Sequence, residues 1–307
     1  MPSLHAWSSA RYTIPLPAGH RFPIAKYALL RDRVLAEGVV APENLHEPER
    51  VSVEDLLLVH TNDYVRSIIE GTLSSAEERV LGLPWSPALA ERSFRAVGGT
   101  CEAAERALSD GLAMNLAGGT HHAFPDRGEG FCVFNDVAVA IRTLQKRGRI
   151  RRAAVVDLDV HQGNGTHAVF VDDDSVFTLS LHGGKNYPFR KVPGRRDVEL
   201  EDGTGDAEYL RRLGESLPRV LDDGHPDLVV YLAGADPLRG DRLGRLDVTH
   251  AGLARRDEMV LDWCRSLGVP AVITIAGGYG SDINDTVTAH VSTARIAAGM
   301  VSALAPR

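Results

Sequence analysis

The chain has 307 residues, 44% hydrophobic and 24% charged, and its 34 Lys and Arg against 41 Asp and Glu leave a net charge of −7. This is the composition of a globular protein and excludes a disordered, collagen-like or coiled-coil chain; with no basic excess, it also excludes nucleic-acid binding driven by counterion release. The acidic balance serves ordinary solubility and mildly favours cationic partners such as lysine-rich tails or polyamines. In chain order, Met1–Ala10 has neither the basic start nor the apolar centre of a signal peptide. The first 80 residues are helical and rich in loops, with helices expected over Pro23–Glu37 and Val53–Glu70. A helix over Pro87–Ser109 then leads to an apolar run, Ala113–Ala117. A helix over Asn135–Arg147 precedes two more such runs, Ala153–Val160 and Val176–Leu181. The stretch Val192–Asp206, rich in Gly, Arg and acids, is expected to be a surface loop inside the domain. Beyond it, helices over Ala207–Leu221, Thr249–Leu267 and Ile283–Leu304 alternate with runs Leu228–Ala233 and Val269–Ala276. Short, partly β-branched apolar runs suit strands buried on both faces. Alternating strand and helix implies one α/β domain, spanning residues 1–307, with a parallel sheet between helical layers.

No apolar run approaches the ~18 residues that would span a bilayer. The three cysteines, Cys101, Cys132 and Cys264, are too scattered for a disulfide framework or a CxxC metal pair. A reducing, cytoplasmic setting is expected.

The residues after each run carry the chemistry. Gly118-Gly119-Thr120-His121-His122 follows the first, Asp157-Leu158-Asp159-Val160-His161 ends the second, and His182-Gly183-Gly184 follows the third. Gly234-Ala235-Asp236 and Gly277-Gly278-Tyr279-Gly280 follow the last two. Ligands of open α/β sheets bind at the carboxyl ends of strands. Five of the twelve histidines lie between residues 121 and 182, which favours a site over isolated core histidines. On an extended strand Asp157, Asp159 and His161 would point to one side. Burying them together costs several kcal/mol without compensation. A metal ion held by Asp159, His161 and the distant Asp236 supplies it and leaves positions for water and substrate; read alone, the DxDxH stretch is equally a capped strand end. Adjacent histidines are often accidental, but beside a metal His121 and His122 suit acid–base work. Tyr279, in its Gly-rich turn, is either a surface tyrosine or a phenol donor to a developing oxyanion. Phe131 reads as core or as the wall of a narrow apolar tube. Cys132 has no cationic neighbour to stabilise a thiolate and reads as packing.

Taken together, these motifs resemble the histone deacetylase family. The resemblance is carried by the stretches around His121 and Asp159, and by Gly130-Phe131-Cys132-Val133-Phe134-Asn135-Asp136, His161-Gln162-Gly163-Asn164-Gly165, Gly240-Asp241-Arg242-Leu243-Gly244, Pro17-Ala18-Gly19-His20-Arg21-Phe22-Pro23 and Gly277-Gly278-Tyr279. The flavour is similar to class IV enzymes and their bacterial relatives. The resemblance implies a three-layer arginase-like fold with a central, mostly parallel sheet of about eight strands flanked by helices. It implies Zn²⁺, with Fe²⁺ the alternative in the cell, on Asp159, His161 and Asp236, and a structural K⁺ near Asp157, Ser180 and Leu181. It implies amide hydrolysis with His122 as base and acid, His121 oriented by Asp157, and Tyr279 as oxyanion donor. Gly130 and Phe131 would flank a lysine stem, Tyr187 or Phe189 would form the opposite wall, and Arg21 would join the substrate site. The implied substrate is an acylated lysine in a peptide or protein, or an acylated polyamine, with neither nucleic acid nor membrane as partner; monomer and homo-oligomer are both open.

Two departures stand out. Asn164 occupies the position where the best-known relatives have a second aspartate, which leaves His122 readier to stay neutral. The segment before Gly98-Gly99 has no counterpart of the rim aspartate that holds peptide backbone in some relatives. A two-Mn²⁺ ureohydrolase would need further bridging carboxylates, and Asp236 is followed by Pro237. A non-catalytic acyl-lysine reader would be expected to lose Tyr279, the histidine pair or a ligand, and all are present.

Overall fold

The computed structural model describes residues 3–303; Met1 and Pro2 of the first stretch above and Leu304, which ends the last, lie outside them. In chain order the elements are β1 (His5–Trp7), α1 (Ala25–Ala36), β2 (Leu45–His46), α2 (Val53–Leu56), α3 (Asn62–Glu70), α4 (Ser75–Leu81), α5 (Pro87–Asp110) and β3 (Leu112–Asn115). They continue with α6 (Asp136–Lys146), β4 (Ala153–Asp157), α7 (Asn164–Phe170), β5 (Val176–Gly183), β6 (Arg196–Leu200), α8 (Asp206–Gly224), β7 (Leu228–Leu232), α9 (His250–Leu267), β8 (Ala271–Thr274) and α10 (Ile283–Ala303). The eight strands form one parallel sheet in the order β2-β1-β3-β8-β7-β4-β5-β6.

The centre of this sheet is apolar on both faces. Along β4, β7 and β8, Ala154, Val156, Val229, Tyr231 and Ile273 face one layer, built from α1, α8, α9 and α10. Val155, Val230, Leu232 and Val272 face the other, built largely from α5 and α6. Covering both faces is why these strands read as continuous apolar runs. The edge strand β6 is different. Only Val198 and Leu200 turn inward, while Arg196, Asp197 and Glu199 remain at least partly exposed. Its polar composition is that of an edge strand, and it corrects the expectation of a loop over Val192–Asp206.

Local chemistry sets the helix ends. Ser86 caps α5 by accepting from the Leu89 amide at 3.0 Å, Pro87 opens the helix, and Gly111 closes it in the left-handed region at φ 83°. The single helix expected over Val53–Glu70 is two helices, because Ser52 and Thr61 each start one. Between them His60 turns inward. Its Nδ1 lies 3.0 Å from the Phe124 carbonyl, and its Nε2 accepts from the Asn135 amide at 3.0 Å. Among the described residues no helix is long and apolar enough to cross a membrane.

Candidate active site

The strand β4 stops at Asp157, and side chains then turn the backbone. Asp157 Oδ1 accepts from the Asp159 amide at 3.1 Å, and Asp159 Oδ1 accepts from the His161 amide at 2.9 Å. These Asx-type turns, and not the alternation of an extended strand, bring the ligand candidates together. Asp157 points elsewhere, to His121, with its Oδ2 2.7 Å from Nδ1. Asp236 arrives from the end of β7, where its Oδ1 accepts from the Val160 amide at 2.9 Å. His161 Nδ1 lies 2.9 Å from Asp159 Oδ1 and 3.2 Å from Asp236 Oδ2. One ligand atom from each of Asp159, His161 and Asp236 falls within 4.8 Å of the others, and all three residues are buried.

This donor set fits a divalent cation. Among the described residues Asp236 Oδ2 is buried with no hydrogen-bond partner, His161 Nδ1 approaching it only to 3.2 Å. Burial and the neighbouring Asp159 charge push the Asp236 carboxyl up to about 7, a cost that a bound cation relieves. Gly277 presses its bare backbone against the pair: a Cβ there would lie 2.0 Å from Asp236 Oδ2 and 2.6 Å from Asp159 Oδ2. Its amide donates to Asp159 Oδ2 at 2.7 Å. Two carboxylates and an imidazole are ligands that Zn²⁺ accepts while keeping a position for water. The expected K⁺ residues are also neighbours: Asp157 and Ser180 are partners in the β4–β5 register, with Leu181 next along β5. The Ser180 hydroxyl already pairs with His182 Nδ1 at 2.9 Å.

His121 and His122 stand side by side, their ring centroids 4.1 Å apart. Burial opposes the charge of His121, but Asp157 and Asp159 outweigh it and push its pKa up to about 9. Burial holds His122 well below the ordinary imidazole value, helped by the charges of His121 and His161. His122 Nδ1 is 2.6 Å from Asn164 Oδ1. Asn164 spends its amide nitrogen on Glu129 Oε1, at 3.1 Å. Its oxygen must therefore accept Nδ1–H, which leaves Nε2 of a neutral His122 free to take a proton.

Glu129 is the residue that the sequence alone does not single out. It also accepts from the Tyr187 hydroxyl, and Arg127 Nε lies 3.5 Å from its Oε2. A carboxylate thus stands one residue behind Asn164, bonded through it to His122. The available signal was an acid directly before Gly130-Phe131.

Gly130 and Phe131 both adopt left-handed backbone, at φ 56° and 69°. For an aromatic residue this is strained. It aims the Phe131 ring toward Tyr279 and Phe22, with centroids 5.9 and 5.6 Å away. Opposite, the Tyr187 ring stands 4.9 Å from His122 and 6.5 Å from His161. Phe131 and Tyr187 both line the cavity that opens there. Phe189 lines the same cavity farther out: it is 85% exposed, and its ring centroid lies 6.2 Å from that of Tyr187. Burial and the charges of Asp159 and Asp236 push the Tyr279 phenol up, so it stays a neutral donor. The Tyr279 amide donates to Asp241 Oδ2 at 2.6 Å. Burial likewise pushes the Cys132 thiol up, consistent with packing.

Outside the histidines an open cavity of about 510 Å³ runs between Phe131, Tyr187 and Tyr279 to the surface, where Arg21 lies on its rim. Behind them lies a smaller cavity of about 70 Å³, lined in part by the buried Lys26 and Arg92.

Known proteins share this arrangement of chain. The family described as "Histone deacetylase domain" matches residues 20–294. An uncharacterised protein of Picosynechococcus sp. is 47% identical over 279 residues, 91% of this chain and 93% of its own. Histone deacetylase 2 of Arabidopsis thaliana is 35% identical over 269 residues, covering 85% of this chain and 70% of that protein. Among solved structures, a histone deacetylase homologue from Aquifex aeolicus superimposes with a TM-score of 0.85 at 27% identity, over 97% of this chain and 84% of that one.

Proposed function

The chain belongs to the histone deacetylase family, whose membership supports deacetylase chemistry, and from that premise we propose a zinc-dependent deacylase that hydrolyses the amide of an acylated lysine side chain in a peptide or protein. The observation that carries this reading is the meeting of Asp159, His161 and Asp236 beside a neutral His122 and a neutral Tyr279, with one cavity reaching His122, His161 and Tyr279 from the surface. Zn²⁺ held by those three side chains would polarise the acyl carbonyl and acidify the attacking water. His122 takes the proton of that water on Nε2 and passes it to the departing amine as the C–N bond breaks. His121, held by Asp157, sets the field beside it. The Tyr279 hydroxyl donates to the oxygen on which negative charge develops. Phe131 and Tyr187 enclose the methylene stem, and their apolar faces exclude bulk water. A K⁺ bound near Asp157, Ser180 and Leu181 would neutralise the carboxylate that orients His121.

The test joins turnover of an acetyl-lysine peptide to elemental analysis. Wild-type protein is expected to carry close to one Zn²⁺ per chain and to release acetate. Asp236→Ala is expected to lose both. A variant that keeps its zinc and its turnover removes Asp236 from the site, and a wild type inert toward acyl-lysine peptides after zinc loading rejects the reading.

A further inference from the structure

The mouth of the cavity opposes the net charge of the chain. Arg21, Arg79, Lys185, Arg242 and Arg245 all line it, and no carboxylate does. All five are exposed. Among the described residues Arg21, Arg79 and Arg242 have no ion-pair partner, and the Arg242 guanidinium bonds there only from Nε to the Tyr279 carbonyl, at 2.9 Å. Lys185 and Arg245 share a single acid, Asp202, at 3.8 and 3.3 Å. Elsewhere exposed arginines are commonly matched, as Arg211 is by Glu208 and Glu215. The rim therefore holds a net excess of four positive charges on a chain of net charge −7. Like charges gathered without partners repel one another, and this arrangement is compensated when an anion enters. The cavity is continuous with His122, His161 and Tyr279, so whatever the rim attracts is presented to the site.

Resting on the deacylase reading, we infer that the mouth selects acylated lysines flanked by acidic residues. The acyl-lysine stem enters between Phe131 and Tyr187 while aspartates and glutamates on either side of it meet the rim. The same field repels basic tails and acylated polyamines, whose remaining ammonium groups would sit among the rim arginines. Charges of this kind act on encounter and orientation and are screened within about 8 Å at physiological salt.

The experiment uses three peptides with the same central acetyl-lysine and acidic, uncharged or basic flanks, together with an acetylated polyamine. Each is assayed with the zinc-loaded protein at low and high salt. The expected kcat/KM is about tenfold higher for the acidic than for the basic peptide at low salt. The difference lies in KM, and it shrinks as salt is raised. The polyamine falls with the basic peptide. In the double variant Arg21→Glu/Arg79→Glu, whose folding is checked by circular dichroism, the acidic-to-basic ratio narrows or inverts. Equal kcat/KM across the three peptides, or a preference for the basic one, overturns the inference. Fluorescence anisotropy with the same labelled peptides reads the preference without turnover. Acidic-over-basic binding with no cleavage of any peptide rejects the deacylase reading alone, and equal binding rejects the charge preference.

Discussion

Two side chains carry separable predictions. Tyr279→Phe removes one hydroxyl from a buried position and leaves the ring, so the fold should survive. Loss of an oxyanion donor lowers kcat by ~10²-fold or more, and comparison of kcat with an unchanged circular dichroism spectrum checks this. Glu129 acts at one remove, by fixing the amide of Asn164 and through it the tautomer of His122. Glu129→Gln is expected to lower kcat about tenfold with little change in KM, as losses of outer hydrogen-bond partners do. In an Asn164→Asp background the carboxylate already touches His122, so the same Glu129→Gln change should cost nothing or help. An equal loss in both backgrounds would reduce Glu129 to a packing residue. The histidines, aspartates and Tyr279 were legible because motif spacing ties each to the end of a strand. Glu129 and the basic rim were not, because their meaning depends on which loops converge: Arg21, Arg79 and Arg242 are far apart in sequence.

Elements were legible where both faces are buried. The apolar runs at β3, β4, β5, β7 and β8 marked the middle of the sheet, whereas β1 and β2 have three and two residues and show no run at all. The alternating charges of β6 concealed an edge strand. The break between α2 and α3 was also hidden, and it has a consequence for acid stability. Burial pushes His60 down to about 4 from the ordinary 6.5, against the favourable pull of the Phe124 and Pro125 carbonyls. The unfolded chain therefore binds this proton first. Stability from neutral His60 is complete above pH 6.5 and declines as the pH falls toward 4, by ~1.4 kcal/mol per unit and ~3 kcal/mol in all. Protonation would also cost the hydrogen bond that Nε2 accepts from the Asn135 amide. Thermal unfolding from pH 7.5 to 4.5 should show a steeper fall in Tm for wild type than for His60→Gln. Identical slopes would place the acid-labile group elsewhere.

Across the whole molecule, Asp159, His161 and Asp236 join loops from β4 and β7, and Gly277 locks the loop after β8 onto them. Removing a cation bound there should loosen all three loops at once. A ligand at one hundred times its dissociation constant adds about 2.7 kcal/mol. A strong chelator is therefore expected to lower Tm by roughly 5 °C or more, with recovery on returning zinc; an unchanged Tm would detach the site from global stability. In a sheet whose strands all run one way, the candidate site sits at the carboxyl ends and the turns that enter the strands lie at the other end. Among the described residues, Gly148 and Gly268, in turns before β4 and β8, have nothing within 4 Å of where a side chain would begin. A guest domain spliced in at either turn should leave hydrolysis untouched, so the molecule offers a natural handle for tethering to a bead or electrode.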